Sequence, residues 1–96
     1  MSFFDLLRKR RPLDEKARRE LLLRKGRITE GHIIDHGFTD DGELVHLFYT
    51  YSVSGADYES SQIIFDDQRS HIDDYEPGMR VTVRYDPNIP TNSIVV

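Results

Sequence analysis

The stretch Leu44–Phe65, LVHLFYTYSVSGADYESSQIIF, narrows the folds open to this chain more than any other. Val45, Leu47, Tyr49, Tyr51 and Val53 alternate with Leu44, His46, Phe48, Thr50 and Ser52. A period of two is what a strand with one buried face requires. Ser54-Gly55 then supplies a two-residue turn, because glycine takes a positive φ at little steric cost. The return strand carries Tyr58, Ile63, Ile64 and Phe65. With a two-residue loop, Val53 pairs with Ala56, Tyr51 with Tyr58 and Val45 with Ile64. The opposite face places Leu44 against Phe65 and His46 against Ile63. That face is too apolar to stay bare, so a helix is expected to cover it.

The covering helix is predicted over Pro12–Lys25. Proline suits the first helical position, and Gly26 is a natural stop. Asp14 and Glu15 sit in the first turn, Arg24 and Lys25 in the last, which matches the helix dipole. Leu13, Ala17 and Leu21, widened by Leu22, form an apolar stripe, and as the helix packs on the barrel its Arg and Lys side chains are expected to meet the acidic body.

Further strands are predicted at Arg27–Asp35, before a Gly37–Gly42 turn, at Met79–Tyr85, and at Ser93–Val96. In MRVTVRY, Met79, Val81, Val83 and Tyr85 are expected inward. A short helix within Asp66–Glu76, capped by Asp66, separates the third and fourth strands. Asp86-Pro87-Asn88-Ile89-Pro90 reads as a rigid turn. Three strands, a helix and two strands is the order of an OB-like barrel. The fold predicted is mainly β: a small, five-stranded, partly open barrel with an N-terminal α-helix. An SH3-like barrel or a sandwich is the competing closure. Tyr49, Tyr51, Tyr58, Val81, Val83 and Tyr85 are the expected core.

Charge divides the chain into a basic arm and helix, 1–26, and an acidic β-barrel domain, 27–96. Residues 1–27 hold ten Lys/Arg against four Asp/Glu, and residues 28–96 hold three against thirteen. A nucleic-acid groove needs cations among exposed aromatics on the barrel face, so the acidic body makes nucleic acid an unfavoured partner. With no cysteine, disulfides, thiolate metal sites and thiol nucleophiles are excluded. No apolar run approaches the roughly 20 residues that span a bilayer. Residues 3–11 run apolar first and basic second, the reverse of a signal peptide, so a cytoplasmic location is expected.

The segments Tyr49–Tyr58, Pro77-Gly78 and Val81–Pro90 carry a Y-x-Y-x-V-x-G-x-x-Y hairpin and a P-G-x-x-V-x-V-x-Y-D-P-x-x-P run. Over about residues 27–96 the chain resembles the bacterial domain of unknown function 3592 family. Members commonly carry this domain beside transmembrane helices, so the resemblance implies a membrane setting. It implies no catalytic residues.

Chemistry is sparse. His32 and His36 are four apart but fall on a strand and turn, where that spacing does not bring ligands together. His46 and His71 complete the set, and all four read as surface or hydrogen-bonded residues. The pairs Asp40-Asp41, Asp66-Asp67 and Asp73-Asp74 lack calcium-loop spacing and read as turn and cap residues. No phosphate loop or nucleophile elbow is present. The expectation is therefore a protein that is not an enzyme and carries no cofactor: a protein-interaction or scaffold module. Its candidate contact residues are Phe3, Phe4, Leu6, Leu7, Arg8, Lys9, Arg10 and Arg11, an apolar cluster followed by four cations. That order suits an anionic lipid surface and places the protein peripherally on the inner membrane. The other expected partners are an unknown protein or a second copy paired through edge strands, including the first strand. Two alternative readings are a nucleic-acid-binding module using the basic arm, and a small hydrolase or metal-binding protein using the histidines.

Overall fold

A computed structural model describes residues 12–96. The elements are α1 (Pro12–Lys25), β1 (Arg27–Phe38), β2 (Leu44–Val53), β3 (Ala56–Ile63), α2 (Asp66–Arg69), a 3-10 turn (Ile72–Tyr75), β4 (Arg80–Asp86) and β5 (Ile89–Val95). The five antiparallel strands run in the order β3-β2-β1-β4-β5 and curl into a nearly closed barrel of OB-like arrangement. The central hairpin follows its predicted register, with Val53 opposite Ala56, Tyr51 opposite Tyr58 and His46 opposite Ile63. Ser54 and Gly55 both have positive φ, 52° and 84°. That is the primed turn whose twist suits a two-residue hairpin.

β1 is the strand that makes closure possible. It pairs with β2 on one side and β4 on the other, so it is the central strand and not the free edge expected of it. Gly31 stands opposite Tyr51 and Val81 at once. A Cβ there would lie 2.7 Å from the Thr50 carbonyl oxygen and 2.7 Å from a Val83 methyl. The missing side chain lets the two halves of the sheet fold together. β1 also continues to Phe38, beyond the predicted end at Asp35. Register shifts between Ile33 and Asp35, and between Gly37 and Phe38, absorb the irregular sequence as bulges. The reversal itself is left to Thr39–Gly42, where Thr39 and Glu43 close the loop.

The interior holds Ile33, Leu47, Tyr49, Tyr51, Ile64, Tyr75, Val81, Val83 and Val95, with Tyr58 and Tyr85 half-buried against them. Met79 departs from its expected inward position and is exposed. The turn at Gly78 (φ 93°) precedes it, and β4 begins only at Arg80, so Met79 contributes its backbone to Ile33 and not its side chain to the core. The short helix expected within Asp66–Glu76 is present as a single α-turn, Asp66–Arg69, and a 3-10 turn follows it. Its cap is Phe65 and not Asp66. No carboxylate is needed there, because the Gln68 side chain reaches back to accept from the Phe65 N–H.

No backbone ladder joins β3 to β5. Two buried glutamines span that seam. Val95 N–H donates to Gln62 Oε1 at 2.6 Å, and Gln68 Nε2 donates to the Val95 carbonyl at 2.9 Å. Gln62 Nε2 in turn donates to Gln68 Oε1 at 2.8 Å. The side chains thus replace the missing strand-to-strand pair and leave no polar atom of the bridge unmatched.

α1 docks on β4 and β5 through the face carrying Glu15, Arg18, Arg19 and Leu22. Leu22 is buried, and the Gly26 N–H closes the helix on the Leu22 carbonyl. Arg18 pairs with Glu15 and donates to Asn92 Oδ1 and the Ser93 carbonyl. Arg19 grips Asp67 through two bonds of 2.7 Å and lies over the Phe65 ring. The helix therefore reaches the apolar Phe65 end of the hairpin, as expected, but by a charged side chain.

Three consequences are measurable. Gly31→Ala should lower stability by about 1–3 kcal/mol in urea unfolding, because the new methyl has nowhere to go. Gln68→Leu should cost roughly 2–4 kcal/mol, since the Phe65 N–H and the Val95 carbonyl lose their partner together and Gln62 Nε2 keeps only the Ile63 carbonyl. The Arg19 guanidinium holds the Asp67 carboxyl below its ordinary 3.8. A depressed folded-state value stabilises above the unfolded pKa and is lost as pH falls through the folded one. Asp67→Asn should therefore cost less than about 1 kcal/mol near neutrality, the Asp67 carboxylate being largely exposed to screening. The gap between variant and native stability should close as acidification passes below 3.8.

Candidate interaction surface

The barrel interior is a fastening, not a reaction chamber. Tyr49 and Tyr51 lie on the same face of β2, with Tyr58 across the hairpin. Their rings stack in a row, with centroids 5.8 Å and 5.6 Å apart. The hydroxyls reach the far strand. Tyr49 bonds to Ser93 Oγ at 2.8 Å, and Tyr51 donates to the Pro90 carbonyl at 2.5 Å. The Tyr-x-Tyr hairpin and the Asp86–Pro90 turn, distant in sequence, are thereby bound together. Within that turn, Asp86 Oδ1 accepts from the Asn88 N–H at 2.8 Å. Burial pushes the Tyr49 phenol up to about 12 and raises that of Tyr51. Both stay protonated around neutrality and act as tethers.

The histidines are dispersed. His32 is exposed on β1 opposite Thr50 and Arg80. His36 Nε2 donates to the Tyr75 carbonyl at 2.6 Å, which ties β1 to the 3-10 turn and fixes the tautomer. His46 stands opposite Gly37, well along the ladder from His32. Burial lowers its pKa, and the nearby Glu15 partly offsets that effect. His71 is exposed before the 3-10 turn. Among the described residues no three His, Cys, Asp or Glu side chains are placed to hold a metal. Of the acidic pairs, Asp40-Asp41 lies in the β1–β2 turn and Asp73-Asp74 in the 3-10 turn, while Asp67 is taken by Arg19.

The surface that stands out was expected to be hidden. Of the predicted inward stripe, Leu22 is buried as expected, but Ala17 is exposed and Leu21 is 46% exposed. The side chain of Leu13 lies outside the described residues. The cause is the choice of docking face. Glu15, Arg18 or Arg19, and Leu22 recur at helical spacing, and this stripe offers the Arg19–Asp67 ion pair and the Arg18 hydrogen bonds to the body as well as an apolar plug. It wins the contact and turns Ala17 and Leu21 outward. Alongside them runs the β4–β5 turn. Leu21, Leu22, Lys25 and Gly26 face Asp86, Pro87 and Asn88 across a shallow groove. Further along, Ile89, 57% exposed, lies beside Asp14 and Arg18. Arg24, Lys25 and Arg27 are exposed near it, and Lys16 lies on the opposite flank of the helix, beside Arg19 and Phe65.

The contact residues read from sequence, Phe3, Phe4, Leu6, Leu7, Arg8, Lys9, Arg10 and Arg11, lie outside the described residues. They directly precede α1, whose outward stripe the reading by apolar spacing missed. The expected meeting of the helix's cations with the acidic body is made by Arg19 on Asp67.

Among the described residues no helix is long and apolar enough to cross a membrane. No curated protein and no solved structure matches the chain. One family does, over residues 24–96: the barrel with its three tyrosine-bearing strands and the Asp86–Pro90 turn falls inside the match, and most of α1 falls before it. The chain belongs to the family described as Domain of unknown function (DUF3592).

Proposed function

We propose that this protein is a non-catalytic interaction module held peripherally at the cytoplasmic face of the inner membrane. In this reading residues 2–11 rest on anionic lipid, and the barrel presents a rigid acidic surface to a protein partner. The observation that carries it is how the cations of α1 are divided. Arg18 and Arg19 are engaged by the barrel, whereas Lys16, Arg24 and Lys25 remain exposed and extend the run Arg8–Arg11. Each cation near an anionic surface contributes about 1 kcal/mol, and the apolar residues at 3–7 add a few kcal/mol when they insert.

The barrel's own cations favour this reading over a nucleic-acid groove. Arg80 pairs with Glu30, Arg69 pairs with Glu43, and Arg84 donates to the Gly26 carbonyl. Self-association through strand edges would have to use β3. β1 is central, and on β5 the Ser93 carbonyl and both backbone groups of Val95 are engaged by Arg18, Gln68 and Gln62.

The test is co-sedimentation with vesicles. The full chain should pellet with phosphatidylglycerol vesicles at low salt, stay in solution with phosphatidylcholine vesicles, and be released by roughly 0.5 M salt, where screening is short-ranged. A full-length variant with Arg8, Lys9, Arg10 and Arg11 all changed to Glu should lose the binding. Equal pelleting of variant and native protein, or no pelleting of either, contradicts the reading.

A further inference from the structure

We infer that the outer face of the β2–β3 hairpin is the docking site for residues 2–11 of the same chain, which lie on it in solution and leave it for lipid. The docking is argued from the barrel, and its consequence for lipid rests on the membrane-peripheral reading above. Three cross-strand pairs share the outer face: His46 with Ile63, Phe48 with Ser61, and Thr50 with Glu59. Exposure along it is uneven. Ser52, Asp57 and Glu59 are exposed, whereas His46, Phe48 and Ile63 are half-buried and Ser61 is 1% exposed. A serine on the outside of a small barrel is ordinarily wet. Here the hydroxyl is shut away with no hydrogen-bond partner among the described residues. The Phe48 ring leans toward Gly37 on β1, the other side of β2 from Ser61. The cover over Ser61 therefore comes from outside the sheet.

The course of α1 says what that cover is. Followed backwards, α1 passes from Arg19 on Asp67 to Lys16 beside Ile63, so its start points along β3 toward Ser61. Glu15, in the first turn, is close enough to His46 to act on its charge. The chain before Pro12 thus enters at the rim of this face. Residues 2–11 span about 15 Å as a helix and about 33 Å extended, and the His46 and Phe48 rings are only 6.5 Å apart. Phe3, Leu6 and Leu7, spaced i, i+3 and i+4, can face one way. The face offers them Ile34 and Phe48, which with Glu59 flank a groove of about 310 Å³. Charge agrees. Residues 33–65 hold six Asp or Glu and no Lys or Arg. Of those six, Glu43 alone meets an arginine among the described residues. The run Arg8–Arg11 has the opposite sign and lies next to the apolar cluster. Phe3, Phe4, Leu6 and Leu7 can serve one surface at a time, so the barrel and an anionic lipid surface compete for them.

The native chain has no cysteine, so labels can be placed singly. In the full chain without lipid, a nitroxide at Ser2→Cys should erase most of the amide signal of Phe48, Glu59 and Ser61 and leave Thr29 and Thr82 at full intensity. Equal intensities in the two sets overturn the inference, whatever vesicles show. Loss that arises only between spin-labelled and isotope-labelled chains places the segment on a second copy and overturns it too. As a second measure, Phe4→Cys combined with Ser61→Cys permits a disulfide, and cysteine keeps the size of the buried serine. The oxidised full chain should stay in solution with phosphatidylglycerol vesicles and pellet with them once reduced. Equal pelleting before and after reduction overturns the inference. No pelleting of the native chain, with the amide losses in place, overturns the membrane reading and leaves the docking standing.

Discussion

The barrel depends on a seam closed by side chains. A five-stranded sheet this small has two edges, and its curvature brings them together without aligning them for a ladder. Gln62 and Gln68 span the gap because an amide side chain carries both a donor and an acceptor. One glutamine accepts from the Val95 N–H and the other donates to the Val95 carbonyl, so together they copy what a neighbouring strand would offer. The bond between the two amides fixes each orientation. Buried polar groups are tolerable only when fully matched, and this bridge meets that condition. The same arrangement blunts an edge that would otherwise invite another chain.

Other long-range fastenings follow the same logic. Tyr49 and Tyr51 bury their rings and send hydroxyls to Ser93 and Pro90. Arg18 takes the Ser93 carbonyl from outside the barrel. β5 is therefore held by β4 on one side and by glutamines, tyrosine hydroxyls and a guanidinium elsewhere. Docking α1 through arginines has a consequence for the surface. The helix does not need its apolar stripe to attach, and so that stripe is left outward beside the motif turn.

The hairpin was legible because alternation over ten residues and a Ser-Gly turn admit little else. The OB-like order was legible from the placement of turns and helices along the chain. The errors share a physical origin. β1 outran its predicted end because bulges let a strand continue through Gly37, and a bulge leaves no apolar signature. Met79 was placed inward by extending the alternation of Val81 and Val83 across a turn. Gln62 and Gln68, among the most buried side chains, carry no signature in the sequence, since nothing local tells a bridging amide from a solvated one. The α1 stripe was misjudged for a related reason. Helix cations were expected to meet the acidic body, but apolar spacing could not tell that Arg18, Arg19 and Leu22 would set the docked face and leave Ala17 and Leu21 outward. Of the candidate site, the basic apolar lead-in at residues 2–11 was readable from sequence, and the outward face of α1 required the docking geometry.

The most direct test of this picture is amide hydrogen exchange at Val95. Its N–H has no strand partner, only Gln62 Oε1. A side-chain bridge that closes the barrel predicts exchange as slow as at Tyr49 and Val83 in the core, through global unfolding. Rapid exchange at Val95 while Tyr49 and Val83 remain protected would mean that the seam opens freely and that the glutamines do not close it.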